Sequence, residues 1–255
     1  MLSEIERGER FVGLQLVGNA AISCADEIHY LRNSSIAFFP SGNLVAKENL
    51  YNGNYVAIMN RNSVIYLASC SPRRRELLMQ LGLPIELITT EVDESQGIGE
   101  DAVTYTQRLA QTKAQVGWDD VMHMQRPRYP LLAADTTVAL HGVLYGKPAN
   151  QDEARFMLET FSAQTHQVIT TVAVTDGERL HYKTSVTDVF FRPLSYEDIQ
   201  RYIDSGEPFD KAGGYGIQGQ AAVFIKKING SFTGVMGLPL FETAALLAEF
   251  GYVFP

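Results

Sequence analysis

The 255-residue sequence has little of what marks disulfide-bonded, zinc-binding or membrane proteins. It contains two cysteines, Cys24 and Cys70, and no Cys-x-x-Cys pair. This argues against a disulfide framework and a structural zinc site, and favours a reducing cytosol. No stretch approaches the roughly 20 apolar residues of a membrane span. Residues 11–21 are mildly apolar, but Gln15 and Asn19 interrupt them, so we expect a cytoplasmic protein without a signal peptide.

Positive charge is also in deficit, since 21 lysines and arginines stand against 29 acidic residues and give a net charge of −8. Such a chain has no overall affinity for polymeric nucleic acid, so any polyanion that it binds must meet a local basic pocket. The chain is 45% hydrophobic, which is enough for one large domain or for two small lobes that share a core.

A Walker A motif is missing too, although residues 214–219 spell Gly-x-Gly-x-x-Gly. A dinucleotide-binding fingerprint requires a strand before this motif and a helix after it. Here a capped helix and a loop precede the glycines, and a strand-like run follows them. We therefore interpret the segment as a glycine-rich turn that lets the backbone approach a ligand.

The chain divides at about residue 60. Residues 1–60 show no sustained hydrophobic period, and we treat them as an N-terminal extension of unclear structure, either genuine or the product of a start assigned upstream of Met59. After them, the patterns predict strands over residues 64–68, 168–174 and 181–191, a buried strand region over 131–140 interrupted at Asp135, a hairpin of 224–228 with 232–235, and helices over 72–81, 101–116, 151–161, 195–206 and 239–250. Strands and helices mix without strict alternation, which predicts an α/β fold on a mixed β-sheet.

The segment from Ser69 to Arg75 joins a predicted strand to a helix. Ser71 is a good N-cap, and proline follows it as the first helical residue. Three arginines then crowd the first turn, where each cation is unfavourable by about 0.3–1 kcal/mol against the helix dipole. A bound phosphate would remove this conflict by accepting hydrogen bonds from free N–H groups, hydroxyls and guanidinium groups. The alternative is a solvated helix face.

Carboxylates and lysines follow in suggestive places. Asp135 ends an apolar run, and a carboxylate at the end of a buried strand is costly without a cation partner. It suits a divalent metal ligand or a general base, although a turn-capping aspartate is an equally open interpretation. Glu94 is a second candidate acid. Lys113, Lys147 and Lys211 could help to hold a triphosphate, and each alone could be a surface charge.

Taken in order along the chain, the segments that carry these residues and several others resemble the signature motifs of the Maf family. The resemblance covers about residues 63–250. One departure is Cys70, where the family commonly has glycine or another small residue, and residues 1–58 match nothing in the family. The matching segments are residues 67–78, 92–94, 108–110, 113–114, 134–136, 146–148, 165–168, 211–213 and 216–219.

Maf proteins are nucleotide pyrophosphatases that need a divalent cation, so the resemblance implies a nucleoside triphosphate substrate and Mg²⁺ or Mn²⁺ for residues 61–255. It also implies two α/β lobes around a central cleft, a fold related to that of ITP pyrophosphatases, and a dimer, because family members are often dimers. By position, Asp135 resembles the family's proton acceptor and Glu94 a metal-associated acid, and both would hold the metal. The residues that resemble phosphate and cleft contacts are Ser69, Ser71, Arg73, Arg74, Lys113, Lys147 and Lys211.

The subfamily that acts on dTTP and UTP is similar in having Arg, Thr and Gln at three positions, which here are Arg73, Thr136 and Gln218. The Gln218 amide can offer both a donor and an acceptor to the edge of thymine or uracil. The resemblance therefore implies hydrolysis of dTTP and UTP to the monophosphate and pyrophosphate. Two alternatives stay open: a pyrophosphatase for 7-methyl-GTP or other modified nucleotides, and a non-enzymatic, nucleotide-sensing regulator of cell division. We expect no polymeric nucleic acid and no membrane as partner.

Overall fold

The computed structural model of the protein describes residues 64–254 and, before them, the backbone of four short strands. The strands pair in chain order as an antiparallel sheet. They are β1 His29–Tyr30, β2 Ile36–Phe38, β3 Leu44–Glu48 and β4 Tyr55–Met59. The rest of the predicted N-terminal extension lies outside the described residues. The chain divides into two compact units, one of residues 1–63 with 247–255, and one of residues 64–246.

The unit of residues 64–246 is built on a seven-stranded mixed sheet. Its strands are β5 Ile65–Ala68, β6 Ile85–Ile88, β7 Leu131–Leu140, β8 Val143–Tyr145, β9 Thr165–Thr175, β10 Leu180–Phe191 and β11 Ile225–Asn229. Their order is β11-β10-β9-β7-β5-β6, with β8 paired to β7. β5 runs parallel to β6 and β7, and the other pairs are antiparallel. The predicted α/β fold on a mixed sheet is thus confirmed.

Six α-helices accompany these strands in the described part of the chain. They are α1 Pro72–Met79, α2 Ala102–His123, α3 Gln151–Phe161, α4 Tyr196–Asp204, α5 Phe232–Val235 and α6 Leu240–Glu249. Short 3₁₀ turns cover Glu207–Asp210, Ala212–Gly214 and Gln220–Phe224. None of the described helices is long and apolar enough to cross a bilayer.

The helix starts follow from capping side chains, as the sequence predicts. Ser71 accepts a hydrogen bond from the third residue of α1, and a proline follows Ser71. Ser195 and Asp198 form the reciprocal capping box of α4. Asp101 caps α2, which runs to His123 and is thus longer than predicted. These local hydrogen bonds fix where each helix begins.

Strand β7 is continuous, so the predicted interruption at Asp135 is wrong. Asp135 pairs opposite Thr171 of β9 within an unbroken antiparallel register. The strand tolerates the carboxylate because the Lys113 ammonium lies 2.7 Å from it and compensates the buried charge. Asp135 therefore lies in the middle of a strand and caps no turn.

The predicted hairpin at Asn229-Gly230 is also wrong. β11 ends at Asn229, and the residues after the turn form α5. Ser231 explains the difference, because its hydroxyl accepts from the Gly234 backbone N–H at 3.0 Å and caps that helix. The backbone N–H of Ser231 also donates to Thr187 Oγ1, at 2.9 Å, which ties the turn to β10. β11 consequently pairs with β10 alone among the described strands.

Along the same sheet, the described residues of the 64–246 unit form two hydrophobic cores. Long strands serve both, because β7 sends Leu131 into one core and Val138 into the other, and β9 divides in the same way. Trp118 of α2 packs in the first core, and Phe161 of α3 in the second. These cores correspond to the two lobes that the sequence resemblance implies. β7 runs from one core to the other, and its polar residues lie between the residues that it contributes to each core.

Candidate active site

A cleft of about 760 Å³ lies in the unit of residues 64–246. Its walls are the turn before α1, the middle of β7, the Gly146-Lys147 loop, the glycine-rich segment and the loop after α5. It gathers every site residue predicted from the sequence, although these residues lie far apart along the chain. They are Ser69, Ser71, Arg73, Arg74, Glu94, Lys113, Asp135, Thr136, Lys147, Lys211 and Gln218.

The centre of the cleft is an ion triad. The Lys113 ammonium on α2 lies 2.7 Å from Asp135 Oδ1 and 2.6 Å from Glu94 Oε1. The Asp135 side chain is 9% exposed and that of Glu94 57% exposed. Partial burial by itself raises the pKa of Glu94, but the hydrogen bond and charge of Lys113 hold this pKa below its usual value. Glu94 is therefore ionised at neutral pH.

The chemistry of the two carboxylates suits a divalent cation whose remaining ligands come from outside the protein. Among the described residues, no three His, Cys, Asp or Glu side chains converge on one point. Glu94 and Asp135 do converge, since each holds the Lys113 nitrogen within 2.7 Å. Two carboxylates completed by phosphate oxygens are a donor set that Mg²⁺ and Mn²⁺ accept. The residues thus fit an ion shared with a triphosphate better than one enclosed by protein ligands.

Helix α2 also holds the loop that carries Glu94. The Tyr105 hydroxyl donates to the Glu94 backbone carbonyl at 2.9 Å, and Arg108 Nη2 donates to the Ser95 carbonyl at 3.0 Å. Arg108 also grips both oxygens of Glu100, at 2.7 and 2.8 Å. We did not predict Tyr105 or Arg108 as site residues. The available signal was their i,i+3 spacing on one helix face.

Arg74 is not part of a solvated helix face. Its Nε donates to the Gly237 carbonyl at 2.8 Å, Nη2 to Thr136 Oγ1 at 3.1 Å, and Nη1 to Ser69 Oγ at 3.4 Å. Burial lowers the pKa of Arg74 and the Asp135 carboxylate opposes this effect, so the guanidinium stays charged at neutral pH. A cation fixed in this way faces the cleft with two of its five N–H donors uncommitted.

The hydroxyl of Thr136 is largely committed within the protein. Thr136 Oγ1 lies 3.0 Å from Thr170 Oγ1, and Thr170 donates its hydrogen to the Gly234 carbonyl at 2.8 Å. Because a hydroxyl has a single hydrogen, Thr136 must be the donor to Thr170. Thr136 already accepts from Arg74. A substrate can therefore find an acceptor at Thr136 but no donor.

Asp210 joins two of the predicted cations and was itself not predicted as a site residue. Its carboxylate accepts from Arg73 Nη1 at 2.8 Å and from the Lys211 ammonium at 2.6 Å. Partial burial raises the pKa of Asp210, but these two hydrogen bonds hold the pKa below its usual value. Lys147 differs, because it is exposed and makes no hydrogen bond or ion pair with any residue that the structure describes. Its ammonium is free for a phosphate.

The glycine-rich segment forms one wall of the cleft. It consists of turns and 3₁₀ structure, which confirms that it is not a dinucleotide fingerprint. Gln218 is exposed there, and its amide makes no hydrogen bond within the described part of the chain. Cys70, the departure from the expected motif, lies outside the left-handed region, where the described non-glycine residues are Gln125, His141 and Ala163. Its backbone therefore does not require glycine.

Known proteins match this chain over the whole cleft. The sequence profile of the family described as "Maf-like protein" matches residues 64–250. A Chromobacterium violaceum protein named "dTTP/UTP pyrophosphatase" is 62% identical over 191 residues, which are 75% of this chain and 96% of the relative. Proteins of the same name from Aromatoleum aromaticum and Bordetella parapertussis are each 49% identical, over 197 and 195 residues; the matches span 74% and 75% of this chain and 96% and 94% of those relatives.

Proposed function

Since this chain belongs to the Maf-like protein family, we propose that it hydrolyses dTTP and UTP to the nucleoside monophosphate and pyrophosphate. The relatives that carry this name are similar to it over nearly their whole length. The observation that carries the chemistry is the triad in which Lys113 joins Glu94 to Asp135 at the centre of a cation-rich cleft. This arrangement suits attack on a triphosphate.

The reaction needs a water, a proton acceptor and a stabilised leaving group. Asp135 takes a proton from the water while the water oxygen bonds to the α-phosphorus. The bond from the α-phosphorus to the bridging oxygen of the β-phosphate breaks, and pyrophosphate leaves. Lys147, Lys211 and Arg74 neutralise the phosphate oxygens as charge shifts onto them.

Glu94 and Asp135 would hold the divalent ion together with the triphosphate. A bound Mg²⁺ or Mn²⁺ supplies charge neutralisation and polarisation of the phosphorus. Lys113 keeps the two carboxylates together, at 2.6 and 2.7 Å, and so orders them before the substrate arrives. Helix α2 also holds the loop of Glu94. The same helix therefore positions this loop and Lys113, which contacts both carboxylates.

Gln218 selects the base. Its amide pairs with the N3–H donor and an adjacent carbonyl of thymine or uracil. Cytosine instead presents a lone pair at N3 and an amino group at position 4, so the same amide would face opposed groups at about 1–3 kcal/mol each. The exposed, uncommitted amide on the cleft wall supports this role.

The decisive experiment measures pyrophosphate release from canonical and modified nucleoside triphosphates with added Mg²⁺ or Mn²⁺. We expect dTTP and UTP to give the highest kcat/KM. A clear preference for 7-methyl-GTP or another modified nucleotide would overturn the substrate assignment. Nucleotide binding without turnover would favour a regulator that only senses nucleotides. We propose a cytoplasmic location, where such substrates are found.

A further inference from the structure

One carboxylate fixes the segment that carries Gln218 on both sides. The backbone N–H of Gln220 donates to Glu207 Oε2 at 2.9 Å. The Tyr202 hydroxyl donates to Glu207 Oε1 at 2.9 Å and accepts from the Gly216 N–H at 3.2 Å. The N–H groups two residues before and two residues after Gln218 therefore both lead to Glu207.

The glycines at positions 216 and 219 lie close to the side chains of Lys211 and Glu207. A Cβ on Gly219 would overlap the Glu207 carboxylate, and a Cβ on Gly216 would lie 2.6 Å from the Lys211 side chain. Neither glycine has a positive φ, so a side chain at either position would conflict with close neighbours rather than with the backbone conformation, and it would displace the Glu207 carboxylate or the Lys211 side chain. The Lys211 ammonium also donates to the Glu207 backbone carbonyl at 2.7 Å. The segment thus packs directly on the groups that fix it.

The tyrosine that bonds to Glu207 is itself held in place by packing. Tyr202 lies on α4, is 2% exposed and packs edge-on against Phe224 with ring centroids 5.3 Å apart. Burial, together with the Glu207 charge, raises the pKa of Tyr202 above its usual value of 10, so its hydroxyl stays protonated and a donor at neutral pH. By contrast, Gln218 is exposed and bonded to no described residue. The described contacts therefore fix the backbone on both sides of Gln218 and leave its amide available to a ligand.

We propose that Glu207 is a positioning residue for pyrimidine recognition, which holds the 216–220 backbone so that the Gln218 amide meets the base from one fixed position. This inference rests on the proposed function. A backbone free to shift could bring the amide to a position that satisfies cytosine, whereas discrimination requires that the wrong base leave polar groups unpaired. Fixing the backbone in advance also lowers the entropy lost when the base binds.

The test compares kcat/KM for dTTP, UTP and CTP in wild type, Glu207→Gln and Tyr202→Phe. An amide in place of the Glu207 carboxylate carries no charge and has one acceptor oxygen, so it cannot accept hydrogen bonds from the Gln220 N–H and the Tyr202 hydroxyl at two separate oxygens, as the carboxylate does. We expect Glu207→Gln to lower the dTTP-to-CTP ratio of kcat/KM about tenfold, as the loss of one charge-assisted hydrogen bond allows. Tyr202→Phe should lower the ratio by a smaller factor. Asp198→Asn is the matched control, because it weakens the opposite end of α4 and should leave the ratio unchanged.

A double-mutant cycle separates positioning from general loss of structure. If Glu207 acts through Gln218, adding Glu207→Gln to a Gln218→Ala enzyme should not lower the dTTP-to-CTP ratio of kcat/KM any further. A folded Glu207→Gln enzyme with the wild-type ratio would overturn the inference, as would full additivity in the cycle. If Glu207→Gln does not fold, Tyr202→Phe decides in the same way. Failure of the wild type to hydrolyse either dTTP or UTP would instead overturn the proposed function.

Discussion

Asp135 is the residue on which the proposed chemistry depends most. It lies inside a strand, is 9% exposed and is hydrogen-bonded to Lys113. A buried carboxylate with one cationic partner destabilises the fold. Such a group in a cleft is typical of a functional residue. Nothing else in the described cleft combines burial, negative charge and a central place on the sheet as Asp135 does.

We therefore expect Asp135→Asn to retain the fold and lose activity. The amide keeps the shape of the carboxylate but cannot take a proton, so kcat on dTTP should fall by about 10²–10⁴. Asp188→Asn, the same change on β10 outside the cleft, should remain close to wild type. Steady-state kinetics with circular dichroism as a folding check decides this, and near wild-type kcat in Asp135→Asn would remove Asp135 from the mechanism.

His166 sets a pH dependence of stability that is separate from catalysis. It is 1% exposed, its Nε2 lies 2.7 Å from the Tyr215 hydroxyl, and its buried Nδ1 has no hydrogen-bond partner among the described residues. Burial lowers the pKa of His166 from 6.5 to about 4. Between these two values the unfolded chain binds the proton and the folded chain does not, so stability must fall as pH falls from about 6.5 toward 4.

His166→Phe tests this contribution. The variant loses the hydrogen bond to Tyr215 and should be less stable at pH 7.5, but its free energy of unfolding should fall less than that of wild type between pH 7.5 and 5. Urea denaturation at the two pH values measures the difference, with all other titrating groups shared. Parallel losses in the two proteins would contradict the assignment to His166.

At the scale of elements, α2 connects the two acids of the site. It carries Lys113, which touches both carboxylates, and Arg108, which holds the loop of Glu94 through Ser95 and Glu100. The hydrogen bond and charge of Arg108 lower the pKa of Glu100 to about 2, so this link persists at any pH near neutrality. Because the loop has few other anchors, its geometry depends on this helix face.

Arg108→Met should therefore loosen the loop without touching the substrate. We expect the Mn²⁺ concentration for half-maximal activity to rise several-fold, because Glu94 is no longer held in place, with the dTTP-to-CTP ratio unchanged. Arg201→Met removes an exposed arginine on α4 and serves as the control. Metal titrations at saturating dTTP measure the effect. An unchanged metal requirement would show that the loop does not need Arg108.

The elements also mark where local sequence patterns succeed and fail. Caps such as Ser71 and Ser195 depend on residues within one helical turn, so they could be predicted and are confirmed. The Asn229-Gly230 pair is an equally strong local signal for a hairpin, yet the hairpin predicted from it is wrong, because a helix follows the turn. Ser231 caps a helix there and Thr187 of β10 holds the turn, and the second of these partners is distant in sequence.

At the scale of the whole molecule, the catalytic cleft lies within one compact unit. The family match covers residues 64–250, and the cleft residues lie between Ala68 and Gly237. The relatives match almost completely while covering about three quarters of this chain. We therefore expect the residues before position 59 to be dispensable for hydrolysis.

A chain shortened to begin at Met59 should be expressed in soluble form and hydrolyse dTTP with the kcat/KM of the full chain. Side-by-side kinetics and thermal unfolding of the two proteins measure this. If the shortened protein aggregates, or loses activity that the full chain keeps, residues 1–58 are part of the functional domain. Limited proteolysis of the full chain should likewise cut first before residue 60.

The sequence by itself determined the fold class and the family, and it predicted a set of site residues that the structure gathers in one cleft. Charges at a helix start, caps and turn residues act over a few positions, so their physics is legible along the chain. The order of the motifs then placed Asp135, Glu94 and Gln218 in one family's site. Only the tertiary structure decided how these residues meet, because register between strands and packing of helices on them depend on partners far away in sequence. Lys113 on α2 reaches Asp135 on β7, and Glu207 holds one flank of Gln218 directly and the other through a buried tyrosine, contacts that no local pattern encodes.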